Sequence, residues 1–183
     1  MRAFSSPALF GTLPSEDEWS RSCGRRPNRI VGNLGDGISV VGANSAGNAF
    51  LANVIRSNGG MGIDLNDDGV TPNDLGDGDN GPNGLQNFPA LSSATFNNSS
   101  LTVTGLLNST ASAAFRIEFF RVSTNQADAL GYGEAEAFLG NVSVTTDGSG
   151  NATFKTTLLG IVMSVGDCVT ATAVRDLGGG AYG

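Results

Sequence analysis

The chain has 183 residues, with ten basic and seventeen acidic side chains and no histidine. Its net charge of −7 argues against nucleic acid as a partner, because phosphate binding needs basic patches. The lack of histidine excludes a Ser-His-Asp triad and His-ligated zinc. Apolar residues make up 39% of the chain, which allows a packed core. No run of about 18 apolar residues exists, so we predict no membrane helix and no membrane partner.

Residues 1–27 are the first segment, and we predict that they form an irregular leader. No strand or helix period is visible there. Arg2 is not followed by the apolar stretch that a signal peptide requires, so none is predicted. The leader contains Cys23, and a disulfide with Cys168 stays open, although a small buried apolar role is favoured for Cys168.

Residues 28–65 contain two copies of one pattern. NRIVGN (28–33) is followed by DGISVVG (36–42), and NAFLANVIRSN (48–58) is followed by MGIDL (61–65). The Gly-Ile pairs of the two copies lie 25 residues apart. Short β-branched strands with Asn and Gly corners at this period predict coils of a β-helix.

Residues 66–87 are predicted to be an acidic metal-binding linker. The stretch 62–84 contains six aspartates and no lysine or arginine. Its start, Asp64 to Gly69, fits D-x-N-x-D-G, the first half of an EF-hand-type calcium loop, in which alternate oxygens converge on one ion and the glycine permits the bend. Leu75 stands where the final glutamate of such a loop would be. The predicted ligands are therefore Asp64, Asn66, Asp68, the Val70 carbonyl, and Asp74, Asp77 or Asp79.

The identity of the cation follows from the oxygen ligands. An all-oxygen set favours Ca²⁺, with Mg²⁺ or Mn²⁺ next. The alternative for the same segment is a solvated acidic loop, because turns also favour Gly, Asn and Asp.

Residues 88–183 alternate apolar and polar side chains, which is typical of half-buried strands. An Asp-Gly-Ser-Gly hairpin turn stands at 147–150. The number and spacing of strands predict an antiparallel immunoglobulin-like β-sandwich. After Asp176 the chain LGGGAYG offers no good seventh strand, so we expect an exposed edge that can pair with another copy in a homo-oligomer. The predicted strands are 91–96, 100–107, 114–122, 138–146, 151–159 and 168–176.

On these residues and motifs, 28–91 resembles the last coils of bacterial right-handed parallel β-helix proteins. The phrase GIDLNDDGVTPNDLGDGDNGPNGLQNFPAL is similar to the exit from such a helix into a following β module. The resemblance implies an all-β fold, a short parallel β-helix remnant followed by the sandwich. It also implies the tail end of a longer protein and an extracellular or cell-surface location.

Two functions are compatible with these features. The first is a calcium-binding secreted or surface module for adhesion or carbohydrate contact, with a glycan as partner. The second is a divalent-metal-dependent hydrolase of phosphoesters or esters, or a polysaccharide-active enzyme, that uses the aspartates. Glu134 and Glu136 form a further carboxylate pair, which we expect on a solvated loop rather than in acid-base catalysis. No catalytic residue is assigned.

Overall fold

The computed structural model describes residues 27–123 and 132–183, and almost all of the predicted leader, with Cys23, lies outside this part of the chain. The fold is all-β, as predicted, and Pro82–Leu85 form a short 3-10 helix. The strands are β1 Arg29–Val31, β2 Ile38–Val40, β3 Val54–Arg56, β4 Ile63–Leu65, β5 Ala90–Asn97, β6 Ser100–Asn108, β7 Ala114–Val122, β8 Ala137–Thr145, β9 Asn151–Leu159, β10 Cys168–Gly178 and β11 Ala181–Tyr182.

Residues 28–65 form a layer of parallel strand pairs, here called the parallel layer. β1 pairs with β3 and β2 pairs with β4, and each residue lies opposite the residue 25 positions later, as in Ile30 with Ile55. Asparagine side chains bridge the same interval: Asn28 Nδ2 donates to Asn53 Oδ1 at 2.9 Å, and the equivalent bond joins Asn33 to Asn58. This pairing has the same period as the sequence repeat, while the β-helix itself stays a prediction.

The remaining strands form two antiparallel sheets. The first sheet has the order β5-β6-β9, and the second has the order β8-β7-β10-β11. Constant-type immunoglobulin domains place their fourth strand in the first sheet. Here the fourth strand, β8, pairs with β7 in the second sheet instead. All six predicted strands are confirmed, with bounds that differ by at most two residues from the prediction.

The core of the sandwich lies between these two sheets. Alternate residues of β6 and β7 point into it, and Leu101, Val103, Phe115, Ile117 and Phe119 are fully buried. Phe154 and the partly buried Leu158 reach the same core from β9. The core side chains of β6 and β7 therefore follow the period of two that the sequence shows.

The end of the chain differs from the prediction in two respects. A seventh strand exists: β11 pairs with the last residues of β10, because positive φ angles at three consecutive glycines, 178–180, allow a tight reversal. Residues 168–174 of β10 have β7 on one side and no strand partner on the other among the described residues. The prediction of a buried Cys168 was wrong, because this residue begins β10 and is exposed.

The parallel layer packs on the outer face of the second sheet. Phe120 of β7 clusters with Ile55 and Ala135, and the Ile55 N–H donates to the Ala135 carbonyl at 2.8 Å. Glu118 is also fully buried on this face, where it accepts hydrogen bonds from the Ala52 N–H at 2.7 Å and Arg116 Nε at 2.8 Å. Both faces of β7 are therefore covered, one by the first sheet and one by the parallel layer.

Candidate metal centre

Three aspartates of the acidic linker come together in one loop. Oxygen atoms of Asp74, Asp77 and Asp79 all lie within 4.8 Å of one another. Gly76 and Asp77 both have positive φ, and the Gly78 N–H donates to Asp74 Oδ2 at 3.1 Å, so the loop curls around its own carboxylates. We call these three residues the aspartate cluster.

The loop is fixed from outside by the amide side chain of Asn87, which is buried. Asn87 Oδ1 accepts from the Asp74 N–H at 3.0 Å. Its Nδ2 donates to the Asp74 carbonyl at 2.7 Å and to the Asn108 carbonyl at 2.9 Å. Asn108 ends β6, so this side chain joins the acidic linker to the sandwich. Sequence reasoning did not identify Asn87, because a single asparagine before Phe88 carries no distinguishing pattern.

Asp77 is the member of the cluster that faces the sandwich. Its Oδ1 accepts from the Asn87 N–H at 2.8 Å, and its Oδ2 accepts from Ser109 Oγ at 2.6 Å. Ser109 is fully buried. Both oxygens of Asp77 are therefore bonded to protein donors, and the position of this carboxylate is set by the end of β6.

Two other oxygens of the cluster have a different environment. Asp74 Oδ1 and Asp79 Oδ1 are shielded from solvent and have no hydrogen-bond partner among the described residues. No lysine or arginine occurs between residues 57 and 115 of the sequence. A buried carboxylate oxygen without a donor is costly, and a cation in contact with both atoms would offset this cost.

The pKa values of two aspartates of the cluster are shifted in the direction that burial of a carboxylate produces. Burial raises the pKa of Asp77, although hydrogen bonds from Ser109 and Asn87 oppose this effect. Burial also raises the pKa of Asp79, and the negative charge of Asp74 adds to it. Both shifts mean that the charged forms of these two carboxyl groups are disfavoured in their surroundings.

The D-x-N-x-D-G motif forms the turn that comes after β4. Asp64 is buried, with Oδ1 accepting from the Asp67 N–H at 3.1 Å and Oδ2 accepting from the Gly69 N–H at 2.8 Å. Asn66 Nδ2 donates to Asp68 Oδ2 at 2.8 Å on the exposed side of the turn. These bonds account for the local turn. Metal ligation by Asp64, Asn66, Asp68 and the Val70 carbonyl stays a prediction.

Glu134 and Glu136 have structural partners. Glu134 Oε1 accepts from Asn58 Nδ2 at 2.7 Å, which ties the segment before β8 to the parallel layer. Glu136 accepts from the Ser123 N–H at 2.8 Å and lies 3.5 Å from Arg121. Hydrogen bonding from Ser123 lowers the pKa of Glu136. A general acid at neutral pH needs a raised pKa, so Glu136 is poorly suited to that role.

No protein-family model matches the chain, and no curated protein matches it either. Within residues 27–123 and 132–183, none of the helices has the length and apolar character needed to cross a membrane.

Proposed function

We propose that the protein is a calcium-binding β module in which the aspartate cluster holds one Ca²⁺ ion. The observation that carries this proposal is the pair of solvent-shielded, unpartnered oxygens on Asp74 and Asp79 in the described part of the chain. Ca²⁺ takes six to eight oxygen ligands in flexible geometry, so carboxylates, backbone carbonyls and water suffice to complete a site. Mg²⁺ and Mn²⁺ are weaker candidates; Mg²⁺ in particular demands stricter octahedral geometry.

The proposed role of the ion is to brace the acidic linker against the sandwich. The loop that carries the cluster is already joined to the end of β6 through Asp77 with Ser109 and through Asn87 with Asn108. An ion in the same loop neutralises the aspartates and adds to these bonds. The linker also comes directly after the parallel layer, so the brace fixes the junction between the two parts.

The wider setting of the module is part of the same proposal. The 25-residue strand pairing and the asparagine bridges support an assignment of the parallel layer to closing coils of a β-helix. In that setting the module is secreted or surface-attached and serves adhesion or carbohydrate contact. The side of β10 that lacks a strand partner at 168–174, within the described residues, is the edge through which two copies would pair.

A metal-dependent hydrolase is less well supported by the same cluster. A hydrolytic metal needs an open coordination position for water or substrate. Both oxygens of Asp77 are already bonded to Asn87 and Ser109, and Asp74 Oδ1 and Asp79 Oδ1 are shielded from solvent. This arrangement favours a structural ion over a catalytic one.

Calorimetric titration of Ca²⁺ into chelator-treated protein tests the proposal. We expect one ion bound per chain, with the affinity lowered in Asp74→Asn and in Asp79→Asn. The matched control is Asp176→Asn, which removes the same charge at the far end of β10. No heat of binding, together with an unchanged melting temperature, would contradict a cation site.

A further inference from the structure

A cleft lies between the parallel layer and the second sheet, and acidic-linker residues, among them Asn87, line its smaller part. None of the three aspartates of the cluster lines the cleft. Its main cavity has a volume of about 740 Å³, and a smaller one of about 170 Å³ shares part of its wall. Protein interiors rarely leave voids larger than a water molecule, whereas ligand sites commonly measure about 300–1,000 Å³. The main cavity therefore has the size of a binding site. We call the two cavities together the interlayer cleft.

The strand register explains where the cleft opens. On β7, Glu118 and Phe120 point towards the parallel layer and are covered by it. On the neighbouring strand, Thr172 lies directly opposite Glu118, and Thr170 lies opposite Phe120. These two threonines share the same sheet face but are only half-buried, and they line the cleft. The parallel layer thus covers β7 and leaves a gap above β10.

The walls of the cleft combine hydroxyl groups with apolar surface. Thr170 and Thr172 stand two residues apart on one strand, so their side chains are about 7 Å apart along the cleft. Neither hydroxyl has a hydrogen-bond partner among the described residues. Phe88 and Tyr132 meet edge to face, with 5.7 Å between ring centroids, and both rings line both cavities. Met61 and Ile63 complete the shared apolar wall.

The charge of the lining restricts the ligand. Glu134 is the single charged side chain among the described residues that line either cavity, and its carboxylate already accepts from Asn58. A charged ligand would find no free opposite side-chain charge on these described walls. An uncharged ligand that presents both hydroxyl groups and apolar faces matches this lining.

We infer that the interlayer cleft binds an uncharged saccharide of one or two sugar rings. The apolar C–H faces of the rings lie against Phe88 and Tyr132, and sugar hydroxyls bond to Thr170 and Thr172. Aromatic side chains supply apolar contact area of this kind. The inference rests on the proposed carbohydrate contact and gives it a location. It does not depend on whether the aspartate cluster binds Ca²⁺.

The test is an NMR titration of the isotope-labelled full chain with cellobiose, maltose and lactose, run once with Ca²⁺ and once with a chelator. We expect at least one disaccharide to shift the amide signals of Gly62, Ile63, Phe88 and Thr172. The Thr172→Val variant keeps the side-chain shape but removes the hydroxyl. Loss of one hydrogen bond should weaken binding by about two- to ten-fold. Thr153→Val, at an exposed position of β9, is the matched control and should bind like the wild type.

Two results would overturn the inference: no shift with any of the three sugars, and shifts confined to residues outside the cleft. Binding of the uncharged apolar dye Nile red without binding of any sugar would identify an apolar site instead. The shift map of the wild-type protein decides the matter even if a variant fails to fold. Calcium binding without sugar binding would contradict the cleft assignment and leave the cation proposal intact. Sugar binding without calcium binding would contradict the cation proposal and leave the cleft assignment intact.

Discussion

At the scale of single residues, the proposed function depends on two oxygen atoms, Asp74 Oδ1 and Asp79 Oδ1. Both are shielded from water and lack donors within the described part of the chain. Two carboxylates about 4 Å apart repel by about 4 kcal/mol at an effective dielectric of 20, and solvent screening lowers this figure towards about 1 kcal/mol. A bound divalent cation reverses the sign of this contribution. Under the proposed function, the same side chains would destabilise the protein without the ion and stabilise it with the ion bound.

Replacement of Asp79 by asparagine should consequently have opposite effects in the two states. In chelator at neutral pH, Asp79→Asn removes a repelling charge and should raise the melting temperature by about 2–4 °C, equivalent to about 1 kcal/mol. In saturating Ca²⁺ it removes a ligand and should lower the melting temperature relative to wild type. Thermal unfolding of both proteins in both buffers measures this. A variant that melts below wild type in chelator as well would contradict the repulsion argument.

The difference in melting temperature between Asp79→Asn and the wild type should change with pH in one direction. The pKa of Asp79 is raised above its ordinary value of 3.8, so the folded state holds this proton more tightly than the unfolded chain. The stabilisation that comes from protonation of the Asp79 carboxyl is fully present below pH 3.8 and is lost as the pH rises through the raised pKa. In chelator, the advantage of Asp79→Asn should therefore be largest at neutral pH and should shrink on acidification. A stability advantage of Asp79→Asn that grows as the pH falls would show that the pKa of Asp79 is not raised in the folded protein.

Asn87 should contribute more to stability than an ordinary linker asparagine. Asn87→Ala removes side-chain hydrogen bonds to the backbone of Asp74 and Asn108 and leaves these part-buried backbone groups without these partners. We expect a loss of about 2–4 kcal/mol in the free energy of unfolding, measured by urea denaturation. Asn80→Ala, at an exposed position of the same linker, should change it by less than about 0.5 kcal/mol. Equal changes in the free energy of unfolding at the two positions would show that Asn87 does not anchor the linker.

At the scale of elements, the sequence predicted the features that side-chain period determines and missed those that depend on tertiary contacts. Alternation identified β5 to β10 nearly to the residue, because each has one face in the sandwich core. The two-residue strand β11 is too short to show any period. The second covered face of β7 was also not foreseen, because Glu118 has the appearance of an outward-facing residue until the parallel layer is placed over it.

The same limit applies to the candidate site. Composition alone located the acidic linker, since six aspartates without a nearby basic residue are visible in the sequence. Which aspartates converge is decided by the positive φ angles at Gly76 and Asp77 and by the clamp of Asn87. The recognisable motif at Asp64 to Gly69 forms a hydrogen-bonded turn, while the cluster lies in the later residues, which match no motif.

Glu118 provides a test of how the parallel layer is attached to the second sheet. Glu118→Ala leaves the Ala52 N–H and Arg116 Nε without their buried acceptor, and leaving such donors unsatisfied typically costs about 1–3 kcal/mol. Glu118→Gln can still accept from the Ala52 N–H and should cost less. Urea denaturation of the two variants gives this comparison. An alanine variant within about 0.5 kcal/mol of wild type would show that this contact does not join the two layers.

At the scale of the whole molecule, the acidic linker is the junction between two kinds of β structure. The parallel layer packs on the outer face of the second sheet through Ile55 and Phe120, and the linker is bonded to the end of the first sheet at Asn108 and Ser109. The chain therefore makes contact with both sheets before it enters the sandwich. An ion at the aspartate cluster would make the stability of this arrangement depend on the concentration of free Ca²⁺.

A crystal structure of protein grown in excess Ca²⁺, with anomalous diffraction recorded to locate the ion, tests the central claim most directly. The account predicts one peak bonded to Asp74 Oδ1 and Asp79 Oδ1 at about 2.3–2.6 Å, the usual range for Ca²⁺ and oxygen. Absence of density at the cluster, or an ion held by Asp64, Asn66 and Asp68 in its place, would contradict it.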